Sequence, residues 1–284
     1  TQLMKSVAIY LMKNIYLDYA SSTPMATEVA KVMEPYWNDT FGNPGSTHWF
    51  GQQASGAVFK ARQTIASFLD VDYKNILFTS SATEANNLAL RGVLKNSKQK
   101  NSRIIVSAIE HESVLETCRD LEKEGVEVVY IPVNKEGVVD CKEIERALNK
   151  RTILVSIMYA NNEIGTIQPI KKIGELIKKY KGEDSYPLFH TDAVQAFQYL
   201  PCSIKKLGVD LLTLSAHKIY GPKGTGLLYV RDKDLLTPII TGGGQEDGLR
   251  SGTENVPYII GFAKAIELVE KSREKEVKKI GDLR

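Results

Sequence analysis

Seven short apolar runs, alternating with amphipathic stretches, constrain this chain more than any other feature. The runs are 76–78, 104–106, 126–131, 153–158, 188–190, 211–214 and 227–230. The first several are short, continuous and rich in Ile and Val, as strands buried on both faces are. Between them, apolar residues recur at helical spacing. Val29, Val32, Met33, Tyr36 and Trp37 form one such set, and Ile170, Ile173, Leu176 and Ile177 another. Ser81-Ala82-Thr83-Glu84 and Asp140-Cys141-Lys142-Glu143 have the form of capping boxes, so each predicts a helix start. The alternation predicts an α/β fold with a mainly parallel seven-stranded sheet flanked by helices. Ligands on such sheets bind at the carboxyl ends of the strands.

With 284 residues, the chain has room for one large domain or two modest ones. We read residues 1–13 as an N-terminal extension, 14–257 as one large domain and 258–284 as a linking helix. Ile259, Phe262, Ile266 and Val269 share a face of that helix. Residues 1–13 could be the remnant of an organellar targeting peptide. The net charge is only +3, too small to argue for nucleic acid or an anionic membrane as partner. No apolar stretch approaches the ~20 residues that span a bilayer. Three cysteines without close spacing predict neither a zinc site nor a disulfide framework, so a reduced, cytoplasmic setting is the expectation.

The chemistry concentrates at the ends of the apolar runs. Lys218 follows the run 211–214, in Ser215-Ala216-His217-Lys218. A lysine held there out of bulk water is disfavoured as ammonium and can condense with an aldehyde. Asp192 ends the neighbouring run and can keep a pyridine nitrogen protonated. Together they are the two anchors that pyridoxal 5′-phosphate (PLP) needs. The turn 79–84 passes from an apolar strand through small hydroxyl residues into a helix, which suits a phosphate. Ser215 and His217 would donate to the same phosphate if their strand lies beside that turn.

His190 and Asp192 lie two apart, hence on one strand face. A metal pair is the weaker reading, because no third ligand is near in sequence. Gln195 is expected within reach of the cofactor's phenolic oxygen. His111, after the run 104–106, would stack on a flat ring near the proton being moved. An asparagine in the stretch 159–165 can donate to an anionic oxygen without adding charge. The stretch 221–226 lacks the order of a nucleotide loop, and no helix follows it. The glycine-rich stretch 242–253 reads as a flexible loop that leaves Arg250 and Thr253 available for an anion.

These residues resemble the cysteine desulfurases of the NifS/IscS group, fold-type-I PLP enzymes related to class V aminotransferases. Leu17-Asp18-Tyr19-Ala20-Ser21-Ser22-Thr23-Pro24 and Gly42-Asn43-Pro44-Gly45-Ser46-Thr47-His48 are similar to two opening motifs of that family. Six further segments match in order, at 79–84, 110–111, 161–163, 190–195, 215–218 and 242–253. The resemblance implies that Lys218 carries the cofactor and that His111 stacks on it, both with catalytic roles. It implies that Asp192 pairs with the ring nitrogen, and that Gln195 and Asn162 contact the side of the ring bearing the oxygen. Ala82, Thr83, Ser215 and His217 would hold the phosphate. Thr253 would reach the phosphate of a partner subunit in a homodimer, and Asn43 and Asn162 would meet substrate.

The implied reaction turns L-cysteine into L-alanine. Its sulfur passes as a persulfide to an iron–sulfur scaffold or a tRNA-thiolation protein. Family members continue beyond a helix like 258–280 into a small domain with the catalytic cysteine loop and an arginine for the substrate carboxylate. Cys118, Cys141 and Cys202 lie in no such loop, so the expectation is a chain that binds PLP but does not complete the reaction alone: either it is a fragment, or a separate C-terminal polypeptide supplies the rest, or it does other chemistry with PLP. The alternatives are a catalytically incomplete PLP-binding dimer or partner-binding protein, or another PLP lyase or aminotransferase.

Overall fold

The computed structural model describes residues 14–284. The expected N-terminal extension, 1–13, lies outside the described residues. All seven apolar runs form strands: β1 (Ile76–Thr79), β2 (Arg103–Ser107), β3 (Glu127–Ile131), β4 (Thr152–Ser156), β5 (Leu188–Asp192), β6 (Leu211–Ser215) and β7 (Gly226–Val230). They make one sheet in the order β1-β7-β6-β5-β4-β2-β3. The five strands from β3 to β6 are mutually parallel. β7 runs antiparallel to both β6 and β1. The link 216–225 is too short for the helical crossover that a parallel return requires, so β7 reverses. This reversal places β7 between β1 and β6. The strand carrying Ser215 is therefore not the neighbour of the 79–84 turn.

The helices are α1 (Thr27–Met33), α2 (Pro35–Asn38), α3 (Trp49–Leu69), α4 (Ala82–Ser97), α5 (Glu112–Lys123), α6 (Cys141–Ala147), α7 (Ile170–Lys181), α8 (Ile204–Leu207) and α9 (Val256–Leu283). Side chains alternate across the sheet and feed two cores. Ile104 and Val106 pack with Leu88, Val93, Val114 and Leu121 of α4 and α5. Ile105 faces the other way, toward Ile65, Ile173 and Phe262 of α3, α7 and α9. The sheet is thus a middle layer, and the strand ends between the helix layers are free to build a site.

Four local expectations need correction. The set Val29–Trp37 was expected to share one helix, but Pro35 interrupts it, and α1 stops at Met33. Trp37 is left half exposed, with its edge against Tyr258. Ser81 caps α4 by accepting from Glu84 N, but the Glu84 carboxylate reaches back to Ser80 N, one residue earlier than a capping box requires. Asp140 caps α6 through Lys142 N alone, while Glu143 turns to Arg146. The long helix also begins earlier, at Val256, with Asn255 accepting from Tyr258 N as its cap. Its first half does not leave the large domain: Ile259, Phe262, Ile266 and Val269 are all buried in the core. Among the described residues, no helix is long and apolar enough to cross a membrane.

Candidate active site

β5 and β6 are parallel neighbours, and Asp192 pairs in register with Thr213. Their ends point the same way, so Asp192 and the short turn Ala216–Lys218 open onto one cavity of about 560 Å³. Lys218, His217 and Gln195 line it on the β5–β6 side. Ser81, Ala82 and Thr83 line it where α4 begins, and His111, Ser113 and Asn162 complete its wall. Strand ends far apart in sequence therefore converge, as the parallel topology requires.

Burial lowers the pKa of Lys218, while Asp18 and Asp192 pull it back up. The amine donates to the Ala20 carbonyl at 2.6 Å, as does Gln195 at 2.8 Å. Burial drives the Asp192 carboxyl upward. It is opposed by hydrogen bonds from Asn86 Nδ2 (2.8 Å) and Val194 N (2.9 Å), and by the nearness of His111 and Lys218. A cation at the place Asp192 faces would supply the charge that this buried carboxylate lacks. His217 is held below the usual histidine range, first by burial and then by Lys218 and Lys223.

The head of α4 offers an anion its unpaired first-turn N–H groups and dipole. β7 presses close against it. A β-carbon on Gly226 would lie 2.5 Å from the Ser81 carbonyl carbon and 2.8 Å from Ala82 N. Only glycine lets the turn keep this position. A convergent amine, an anion-binding turn, a buried carboxylate and an imidazole form the donor set that a phosphorylated pyridine aldehyde requires. The residues present fit that group.

Not every expected residue joins the cavity. Ser215 is buried, and its hydroxyl pairs with His217 Nδ1 at 2.8 Å, so it orients His217 and does not itself line the space. Asn43 is absent from the lining, and its side chain accepts from Gly45 N. Thr253 is exposed and lines a separate cavity of about 190 Å³ with Ser80, Thr225 and Arg250. Arg250 is not available for an anion, because it grips Glu84 with two hydrogen bonds, of 2.7 and 3.2 Å. Asn161 acts as a scaffold. It accepts from Glu163 N and Ile164 N and donates to the Ile109 carbonyl. The ring of His190 bonds Ser156 and Thr213 across the sheet, and burial lowers its pKa to about 3. It is a neutral strand tie.

Sequence reasoning missed Asn86 and Ser113, and gave Glu110, which stands in the matching segment 110–111, no role of its own. Glu110 is buried beneath His111, where its carboxylate accepts from Ser107 Oγ and from Met158 N at 2.7 Å. Desolvation pushes its pKa up to about 8. Asn86 interrupts an otherwise apolar face of α4, and that interruption was the available signal.

Known proteins agree with this architecture. The aminotransferase class-V family matches residues 15–282. The cysteine desulfurase IscS of Dictyoglomus turgidum is 48% identical over 274 residues, covering 96% of this chain and 68% of its own length. The mitosomal cysteine desulfurase of Encephalitozoon cuniculi is 47% identical, covering 95% of this chain and 63% of its own length. Among solved structures, a NifS-like protein superposes with a TM-score of 0.89 at 42% identity, covering 93% of this chain and 71% of its own. SspA in complex with cysteine gives 0.86 at 40%, covering 95% and 78%. The chain spans about two thirds of the length of the curated relatives it matches. On sequence, fold and site together, the chain belongs to the aminotransferase class-V family, among its NifS- and IscS-like cysteine desulfurases.

Proposed function

We propose that this chain supplies the PLP-binding part of an enzyme that removes sulfur from L-cysteine. The observation that carries the reading is the convergence of Lys218, Asp192, His111 and the 81–83 turn on one cavity. A relative solved in complex with cysteine supports the substrate. Lys218 Nζ would attach the aldehyde, Asp192 would pair with the ring nitrogen, and His111 would cover the ring. Ser81, Ala82, Thr83 and His217 would hold the phosphate, with Gln195 and Asn162 on the side of the phenolic oxygen. Bound there, PLP draws electrons from the substrate's Cα so that its proton can leave.

The chain's own groups do the rest. Lys218 Nζ, disfavoured as ammonium by burial, is the base closest in kind to that proton's acceptor. Burial raises the Asp192 carboxyl, and a protonated ring nitrogen beside it, with the hydrogen bonds from Asn86 and Val194, would hold it as carboxylate. Thr253 faces solvent outside the cavity, which suits contact with the phosphate of a second subunit in a homodimer.

The thiol that takes the sulfur is none of the three in this chain. Cys118 and Cys202 are buried, with pKa values pushed up to about 12, and the Cys141 thiol is also raised by burial. Thiolate is the attacking species, so all three are poor nucleophiles. The thiol then comes from a loop or polypeptide outside the described residues, and the sulfur passes on to an acceptor such as an iron–sulfur scaffold. The test is alanine release from L-cysteine with PLP, for this chain alone and with the family's C-terminal part added. We expect the added part to raise alanine release, and replacement of all three cysteines by serine to leave it unchanged. Loss of alanine release in the serine variant would overturn the assignment.

A further inference from the structure

Asn86 lies in the middle of the buried face of α4, among Ala85, Leu88, Ala89, Leu90 and Val93. It is fully buried. One amide nitrogen serves two acceptors: Nδ2 donates to Asp192 Oδ2 and to Ser113 Oγ, both at 2.8 Å. Ser113 Oγ lies 2.9 Å from His111 Nδ1, and Ser113 N also donates to Nδ1, at 3.0 Å. The amide oxygen of Asn86 has no hydrogen-bond partner among the described residues. The opposite orientation of the amide would set that oxygen against the Asp192 carboxylate, an acceptor facing an acceptor. The amide is therefore held by what its nitrogen does, although a buried carbonyl goes unsatisfied.

The donors along this chain can run in only one direction. Ser113 N–H already points at His111 Nδ1, so that nitrogen bears no proton. Ser113 Oγ accepts from Asn86 and is left to donate to Nδ1. The proton of the neutral imidazole must then sit on Nε2, the nitrogen not engaged by Ser113. Asp192 is faced by Asn86 from α4, by Glu110 and His111 at the head of α5, and by Lys218 beyond β6.

We propose that Asn86 is a positioning residue that joins the two working groups of the site. Its amide anchors the Asp192 carboxylate and, through the Ser113 hydroxyl, adds a second donor to His111 Nδ1, steadying the ring in the Nε2-protonated form that the Ser113 backbone N–H selects. An apolar residue would pack as well in this face of α4 but could do neither. The inference rests on the proposed PLP site, since it assigns Asp192 and His111 to one cofactor.

The test reads the imidazole ¹⁵N shifts of His111, in the cofactor-free and the PLP-loaded protein, together with retention of PLP. Wild type should show a single tautomer with Nε2 protonated. Asn86→Leu and Ser113→Ala should each move the Nδ1 shift, as the hydroxyl donor is weakened or lost, while Nε2 stays protonated. Their double variant should go no further than the stronger single one, because both break the same path. Retention of PLP should separate the two: Asn86→Leu weakens it about tenfold through loss of a charge-assisted hydrogen bond, and Ser113→Ala leaves it within about twofold. A purely structural Asn86 predicts additive changes, or an unaltered Nδ1 shift, and either result overturns the proposal. Should Asn86→Leu not fold, unchanged His111 shifts in Ser113→Ala overturn it equally. The cofactor-free shifts remain measurable if Lys218 takes up no PLP, so failure of the PLP reading is distinguishable from failure of this one.

Discussion

Replacing Arg62 with methionine probes the charged cluster that fastens the 246–255 segment to the sheet. Arg62 donates from Nη1 and Nη2 to the two carboxylate oxygens of Glu246, at 2.7 and 2.8 Å. Its Nη1 also meets the Ile76 carbonyl, and its guanidinium lies 4.7 Å from the Phe78 ring centroid. Glu246 further accepts from Phe78 N at 3.1 Å, and Glu254 stands 3.5 Å from Arg62. The side chains of Arg62 and Glu246 are 14% and 2% exposed, so solvent screens little of this. Arg62→Met keeps the apolar stem but strands a buried carboxylate beside a second one. Breaking one side of such a pair costs about 3–5 kcal/mol. For a chain of this size that corresponds to a fall of roughly 10 °C in Tm.

The deficit should depend on pH. Glu254 is held above the usual carboxylate range, first by burial and then by the charge of Glu246. A carboxyl raised in the folded state favours folding below its unfolded value and loses that contribution as pH rises through its folded value. Loss of Arg62 raises it further. The variant should therefore lie closest to wild type near pH 5 and furthest from it near pH 8. Urea unfolding and thermal melts at both pH values measure this. Arg62→Met combined with Glu246→Leu should recover about half of the loss or more, since an apolar pair replaces a broken ionic one. A deficit below about 1 kcal/mol, or a double variant less stable than the single one, would refute the reasoning.

Two other perturbations follow from buried groups. Glu110 titrates at about 8 against an ordinary 4.5, so its contribution to stability should decline as pH rises from about 4.5 to about 8. Glu110→Gln should flatten that decline in pH-dependent melts, and an unchanged profile would contradict the burial argument. Gly226→Ala should displace the 81–83 turn, weakening PLP retention about tenfold and costing about 1–3 kcal/mol of stability. Cofactor retention equal to wild type would mean that the turn does not hold the phosphate.

The sheet was legible because strands buried on both faces need mostly apolar runs, as in 76–78 and 104–106, and even half-buried β3 keeps Val128, Val129 and Ile131 after Glu127. The reversal of β7 was not, since strand direction depends on the length of the connection and not on the strand's own composition. Lys218, Asp192, His111, Gln195 and His217 were legible because strand ends in an α/β fold converge, whereas Ala82, Thr83 and Asn162 were singled out only through the family resemblance. Arg250 was misread as available: its partner Glu84 lies far away in sequence, and only the folded chain brings them together. Asn86 and Ser113 were hidden for a related reason. Asn86 breaks the apolar face of α4 and Ser113 is an ordinary first-turn residue of α5, but their meaning comes from sharing hydrogen bonds across α4, α5 and β5. Pro35 was visible, and its power to end α1 should have outweighed the helical spacing on either side.

The central claim is that Lys218 holds PLP. The direct test loads the purified protein with PLP, reduces it with borohydride and maps the labelled peptide. The account predicts a yellow protein before reduction and one stable adduct, on Lys218. An adduct on Lys223 or any other lysine, or a protein that takes up no PLP, would contradict it.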